Sequence, residues 1–192
     1  MGNSFFIVLY GVSGSGKSTL RDAAVRQLSG IKRLVAVTTR PARQGETEGV
    51  DKYFITNDEF QKRNSDGELC LANEVYGFMY AFNIKDFKSD DIYICELYHR
   101  DFEAFQKATS CTVNIYIKPP SIQKAFEGIT RRGSSNDELQ RRYNLMQTDY
   151  AVLESMSASD FFEYTFANNY DAQSVDEFVK LINEIITKGR YV

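Results

Sequence analysis

The residues best suited to do chemistry come early in the chain. Gly11, Val12, Ser13, Gly14, Ser15, Gly16, Lys17 and Ser18 match G-x-x-x-x-G-K-[ST]. Glycines at 11, 14 and 16 admit positive φ and let backbone amides approach an anion without a Cβ in the way. Those amides, with a helix N-terminus behind them, offer donors and partial positive charge to phosphate oxygens. Lys17 supplies a point charge for the β and γ phosphates, and the Ser18 hydroxyl is a ligand for Mg²⁺. Ser13, Ser15 and Thr19 complete the expected ATP-binding stretch. The chemistry implied is capture of ATP by its phosphates.

Which transfer follows depends on the acceptor. A hydroxyl acceptor needs a base to take its proton, whereas a phosphate acceptor is already an anionic nucleophile and needs cations to hold it. Cations are present. Arg40 and Arg43 lie three apart around Pro41, directly after an apolar run, and guanidinium forks suit a phosphate monoester. A second set, Arg131, Arg132, Arg141 and Arg142, brackets the polar stretch RRGSSN, expected to be mobile and able to close over a transferring phosphoryl group. A solvated basic face is the plain alternative for Arg131 and Arg141. The nearest string to the N-K-x-D of a GTPase is Asn83, Ile84, Lys85, Asp86, with its Lys in the wrong place.

These groups need a scaffold. Phe5–Tyr10 (FFIVLY) is a continuous apolar run of the kind buried on both faces of a parallel sheet. Leu20, Ala24, Val25 and Leu28 recur at helical spacing, predicting a helix over Ser18–Leu28 that Gly30 stops. Leu34–Val37 reads as a second short strand. From Thr38 to about Phe82, short alternating pieces, Tyr53–Ile55 and Leu69–Val75, surround a brief helix capped by Thr56 with Glu59 three residues on. This predicts a small inserted lobe, antiparallel or mixed, over 38–82. The α/β rhythm then resumes with strand Ile92–Glu96, helix Asp101–Ala108, strand Thr112–Ile117, and helices Ser121–Thr130 and Asp137–Ser155. A last strand, Tyr164–Ala167, precedes a helix Val175–Lys188 with Ser174 as its cap. The expected fold class is α/β, a P-loop NTPase fold with a parallel sheet flanked by helices. It reads as one domain over 1–192, with its core in 1–37 and 83–192.

In order and spacing, GVSGSGKST, TTRPARQGETEGVDKYF, EVYGFMYAF, the RRG stretch and EYTFANN make the chain resemble the guanylate kinase family, over nearly its whole length. The resemblance implies a core, a GMP-binding lobe and a lid over about 128–145. It implies transfer of the γ-phosphoryl group of ATP to a nucleoside monophosphate, GMP first, with Mg²⁺. By that similarity Arg40, Arg43 and Tyr80 grip the acceptor phosphate, and Lys17, Arg132 and Arg142 stabilise charge shared between donor and acceptor. The implied catalytic set is thus Lys17, Arg40, Arg132 and Arg142. Asn168 falls where the family has an asparagine near the adenine.

The base-reading half departs from the family pattern. Ala36 stands for a Ser, Leu71 for a Glu, Ala81 and Phe82 for a Gly and a hydroxyl residue, and Tyr98 for an Asp. Lys52 replaces a phosphate-binding Tyr, with Tyr53 beside it. An apolar Leu71 leaves guanine donors unpaired, which is costly when buried. Glu68 and Glu74 are each an odd number of residues from Leu71, so in a regular strand they face the other way unless a bulge shifts the register, whereas Asn73 shares its face. Tyr53, Leu71, Asn73 and Glu96 therefore join the acceptor candidates. Glu96 ends its strand beside metal or acceptor, or is a surface acid. His99, the one histidine, reads as a solvated loop residue, and the aromatics of Tyr76–Phe82 other than Tyr80 as lobe core.

Among 192 residues, 23 Lys and Arg against 26 Asp and Glu leave a net charge of −3, with no electrostatic reason to expect nucleic acid or a membrane surface. Three cysteines without C-x-x-C spacing read as reduced thiols. The opening segment has no basic stretch or cleavage site of a signal peptide, and no apolar run is long enough to span a bilayer. A cytoplasmic enzyme acting on small-molecule nucleotides, monomeric or homodimeric, is the expectation. Two other readings stay open: a kinase for another nucleotide or a phosphorylated sugar, and a non-catalytic module recruiting a phosphorylated protein, although such modules typically have a degraded phosphate loop.

Overall fold

A computed structural model describes residues 4–43, 45–75, 77–109, 111–130, 136–159 and 161–189. In chain order the elements are β1 (Phe5–Tyr10), α1 (Lys17–Gln27), β2 (Ile31–Arg33), β3 (Val37–Thr38), β4 (Tyr53–Phe54), α2 (Asn57–Ser65), β5 (Leu69–Val75) and β6 (Phe78–Asn83). They continue as β7 (Ile92–Glu96), α3 (Phe102–Ala108), β8 (Thr112–Lys118), α4 (Ile122–Thr130), α5 (Asn136–Ala158), β9 (Tyr164–Ala167) and α6 (Ala172–Gly189).

Five strands form a parallel sheet of order β2-β7-β1-β8-β9. The uninterrupted apolarity of β1 follows from its central place, because alternate residues face two different cores. Phe6, Val8 and Tyr10 pack with Phe105 of α3, Ala125 and Ile129 of α4, and Met146 and Leu153 of α5. Ile7 and Leu9 pack with Leu20 and Ala24 of α1 and with Phe178, Ile182 and Ile185 of α6. Helices therefore cover both faces, as the strand and helix alternation predicts.

A second sheet of order β4-β3-β6-β5 is mixed: β3 and β4 run parallel, and the β3–β6 and β5–β6 pairs antiparallel. Val37, Leu69 and Ala81 close it over Phe60 of α2. The Thr56 hydroxyl accepts from the Glu59 amide at 3.2 Å, so the expected cap is in place.

Two expectations need correction. The run Leu34–Val37 is not one strand but the crossing from one sheet to the other: β2 lies before it, and Val37 already belongs to the second sheet. β2 is an edge strand, so it tolerates Lys32 and Arg33, and Arg33 is tied to Asp22 at 2.6 Å and Asp51 at 3.2 Å. The last helix begins a turn earlier than its apolar stripe, because Asp171 caps it, accepting from the Ser174 amide at 2.7 Å. Ser174 instead accepts from the Asn169 amide at 3.1 Å, pinning the approach to the helix.

Candidate functional site

The chain leaves β1 at Tyr10, turns through residues 11–16, and enters α1 at Lys17, at the carboxyl edge of the parallel strands, where open α/β sheets place their ligands. Gly14 has φ +81°, and a Cβ there would stand 2.0 Å from the Ala125 carbonyl oxygen of α4. Gly16 has φ +88°, and a Cβ there would stand 2.2 Å from Asn168 Nδ2. The glycines thus seat the loop against its supports as well as opening it to an anion. Lys17 Nζ donates to the carbonyls of Gly11 at 2.7 Å and Val12 at 3.0 Å, so the ammonium lies across the loop. Ser13, Ser18 and Thr19 are exposed at the mouth, while Ser15 is fully buried within it.

Asn168, expected near the adenine, is packed against the phosphate loop. It is only 3 % exposed; its Nδ2 donates to the Ser15 carbonyl at 2.8 Å, and its Oδ1 accepts from the Tyr170 amide at 3.1 Å. It braces the phosphate loop from behind. Tyr170, which the sequence did not single out, donates its hydroxyl to the Gly14 carbonyl at 3.1 Å and adopts φ +64°, uncommon for a large side chain. Replacing Asn168 by alanine leaves the Ser15 carbonyl unpaired, and we expect a loss of roughly 1–3 kcal/mol in stability together with weaker ATP binding. Chemical denaturation and ATP titration of the variant check both.

Glu96 ends β7 facing the loop. Arg21 of α1 donates to its Oε1 at 2.6 Å. Burial pushes the Glu96 carboxyl up, but Arg21, Lys17, a hydrogen bond from Ser18 and Lys52 outweigh it and hold it below the ordinary carboxylate range. An ionised acid close to Ser18 offers hard oxygens that fit Mg²⁺, which is usually held by one or two protein oxygens plus phosphates and waters. Among the described residues no group of three or more His, Cys, Asp or Glu forms a metal site.

A cavity of about 280 Å³ runs from the loop into the second sheet. Gly11, Ser13 and Lys17 line one end, and Leu71, Asn73 and Tyr80 the other, with Lys52 and Glu96 also on its wall. A β-bulge shapes the far wall: Cys70 pairs with Phe82 and Asn73 with Tyr80, three steps on β5 against two on β6. Leu71 sits in the bulge at φ +57°. The bulge keeps Leu71, Asn73 and Val75 in the cavity and brings in neither glutamate: Glu68 pairs with Arg63 at 3.1 Å, and Glu74 is exposed.

Neither Arg40 nor Arg43 lines this cavity. Arg40 is 7 % exposed, donates to both carboxylate oxygens of Glu46 at 2.7 and 2.9 Å, and also bonds the Pro41 carbonyl. It reaches the cavity through Tyr80, which hydrogen-bonds it. Burial, then the nearby charges of Arg40 and Arg142, hold the Arg43 guanidinium below its ordinary range despite Glu46 and Tyr80. Three arginines thus converge on one region, a like-charge arrangement that an anion relieves. Tyr53 packs into the lobe core with Val37 and Phe60, whereas its neighbour Lys52 faces the cavity, with Nζ 5.7 Å from the Tyr80 ring centre. Burial lowers the Lys52 ammonium below the usual lysine range, Glu96 raises it, and Arg21 and Arg40 lower it further. Arg131, Arg132 and the Arg141 side chain lie outside the described residues.

His99 is not a solvated loop residue. Its side chain is 9 % exposed and lines the cavity beside Tyr98 and Asp149. Burial holds its imidazole below the ordinary range, against the pull of Asp149. The unfolded chain therefore takes up a proton near the ordinary value of 6.5 that the folded state resists, and stability present above that pH declines as pH falls below it. A His99→Gln variant is expected to melt with a flatter pH dependence in this window, measured by thermal denaturation.

The guanylate kinase family model matches residues 4–189. The guanylate kinase of Paraburkholderia xenovorans is 33% identical over 194 aligned residues, covering 99% of this chain and 82% of the relative. That of Symbiobacterium thermophilum is 29% identical over 181 residues, covering 92% of this chain and 83% of the relative. A crystal structure of guanylate kinase from Anaplasma phagocytophilum shares the fold, with a TM-score of 0.68 at 24% identity over 98% of this chain and 87% of that one. No helix among the described residues is long and apolar enough to cross a membrane. With a family match that spans both sheets, the phosphate loop and the cavity between them, the chain belongs to the guanylate kinase family, enzymes of the nucleoside monophosphate kinase type.

Proposed function

We propose that this protein transfers the γ-phosphoryl group of ATP to the phosphate of a nucleoside monophosphate, with GMP as first candidate and residues 38–82 as the acceptor-binding lobe. The observation that carries the reading is the cavity with the phosphate loop at one end and the lobe at the other. Amides of residues 11–18 hold the donor phosphates, and Lys17 swings from its loop carbonyls onto them. Mg²⁺ bound at Ser18 would offset charge on the donor phosphates. Glu96 lies close to Ser18 and Lys17 and so belongs to the metal side of the site. Tyr80 and Lys52 receive the acceptor phosphate from inside the cavity, with Arg40, Arg43 and Arg142 surrounding it. No base is required, because the acceptor oxygen is already anionic.

A coupled ADP-release assay with GMP, AMP, UMP, CMP and sugar phosphates tests the reading, and no turnover with any of them sinks it. Ala36, Leu71, Phe82 and Tyr98 all line the cavity and favour a second reading, in which another nucleotide or a sugar phosphate is the better acceptor. Poor turnover of GMP beside faster turnover elsewhere in the panel would select it.

A further inference from the structure

The apolar replacement at Leu71 raises a question of what faces the acceptor base, and the cavity contains an answer on another element. Asp149 of α5 lines it and is only 7 % exposed. Its Oδ1 accepts from the Tyr98 hydroxyl at 2.6 Å. His99 Nε2 stands 3.8 Å from the same oxygen, beyond hydrogen-bond reach. Among the described residues the Tyr98 hydroxyl is the one side-chain hydrogen-bond donor to Asp149, and the residue lines the cavity wall. A buried carboxylate with one strong bond is costly unless a ligand supplies more donors. Asp101, another acid on the cavity wall, lies close to the Asn73 amide.

The helix aligns this carboxylate with the phosphate machinery. Arg142, Met146, Asp149 and Leu153 follow at spacings of four, three and four, which is one face of α5. Met146 and Leu153 line the cavity with Asp149. Phe82, Phe105 and Leu71 supply apolar wall for a flat ring.

We propose that Asp149 is the specificity-determining residue of the acceptor site, accepting N–H donors from the edge of the nucleobase, with Tyr98 as the positioning residue that holds it. This rests on the acceptor reading above. It selects bases that present adjacent N–H donors, so guanine is favoured over hypoxanthine, which lacks the amino group. The carboxylate absent at Leu71 is thus replaced from α5, and the Asp149–Tyr98 bond fixes its orientation.

The test compares GMP and IMP, with AMP and UMP as further acceptors, for the wild type, Asp149→Asn and Tyr98→Phe. Asp149→Asn is expected to lower kcat/KM for GMP roughly 10- to 50-fold, mainly through KM, and to bring the GMP to IMP ratio towards one, with ATP KM unchanged. Tyr98→Phe leaves the acid in place, provides a variant should Asp149→Asn fail to fold, and should reduce the same ratio by a smaller factor. An unchanged ratio in both variants, or an equal loss for every acceptor, overturns the inference while leaving the kinase reading intact. If the wild type turns over no monophosphate, the kinase reading fails, and calorimetric binding of GMP and IMP to the same proteins decides the inference: equal affinities for wild type and variants overturn it.

Discussion

Replacing Lys17 by alanine is expected to lower kcat/KM about 10²- to 10³-fold, the largest effect of any single substitution foreseen for this protein. The ammonium is the positive side chain of the phosphate loop, placed across its mouth by the carbonyls of Gly11 and Val12. Charge that builds on the transferring group in a water-poor site is stabilised far more by a preorganised cation than by solvent. The two lost hydrogen bonds are to part-buried carbonyls that water can take over, unlike the buried bond to Ser15, so the melting temperature should fall less than in Asn168→Ala. Single-turnover kinetics at saturating ATP isolates the chemical step. A variant within threefold of wild type there would mean that the loop holds a ligand without catalysing its transfer.

The second large effect is expected at Lys52. Changing it to methionine keeps most of the stem but removes the charge between Tyr80 and Glu96, and the KM for the acceptor should rise by up to about 100-fold while that for ATP stays within a small factor. Arginine at this position should retain part of the activity, since charge rather than shape is what the phosphate needs. Initial-rate measurements with each substrate varied in turn separate the two constants. Equal rises in both would place Lys52 with the donor or in the general field of the site. The expectation follows from the environment: burial, Arg21 and Arg40 all disfavour the ammonium, so a bound dianion should raise its proton affinity.

The contrast between the two ends of the cavity has a physical basis. Holding phosphate takes backbone amides and cations, and the glycine loop with the Arg40 and Arg43 pair carries the resemblance to the family there, Lys52 being a departure that is still a cation. Reading a base takes donors and acceptors at a few side-chain positions, which can move from one element to another as long as they meet the same ring edge. Leu71 in its left-handed bulge and Asp149 on α5 are 78 positions apart in the sequence, counted from 71 to 149, yet both line one cavity.

How much could be read before the fold was known differs by element. The central strand, the glycine loop and the helix behind it were legible because each is specified locally: apolarity on both strand faces, positive φ at Gly14 and Gly16, and apolar residues at helical spacing. The edge strand β2 was misplaced because an edge position relaxes the demand for apolar residues. The last helix was started late because Ser174 and Asp171 both carry capping side chains and only the three-dimensional turn chooses between them.

The sequence by itself determined the phosphate-binding loop, the α/β rhythm and the family, since all three depend on residues close together in the chain. Only the tertiary structure decided which side chains share the cavity. It set Asn168 against the back of the loop, moved His99 from solvent into the wall, brought Lys52 rather than Tyr53 to the cavity, and joined Tyr98 to Asp149 across 51 positions. Long-range packing sets burial and partners, and burial and partners set what a side chain can do.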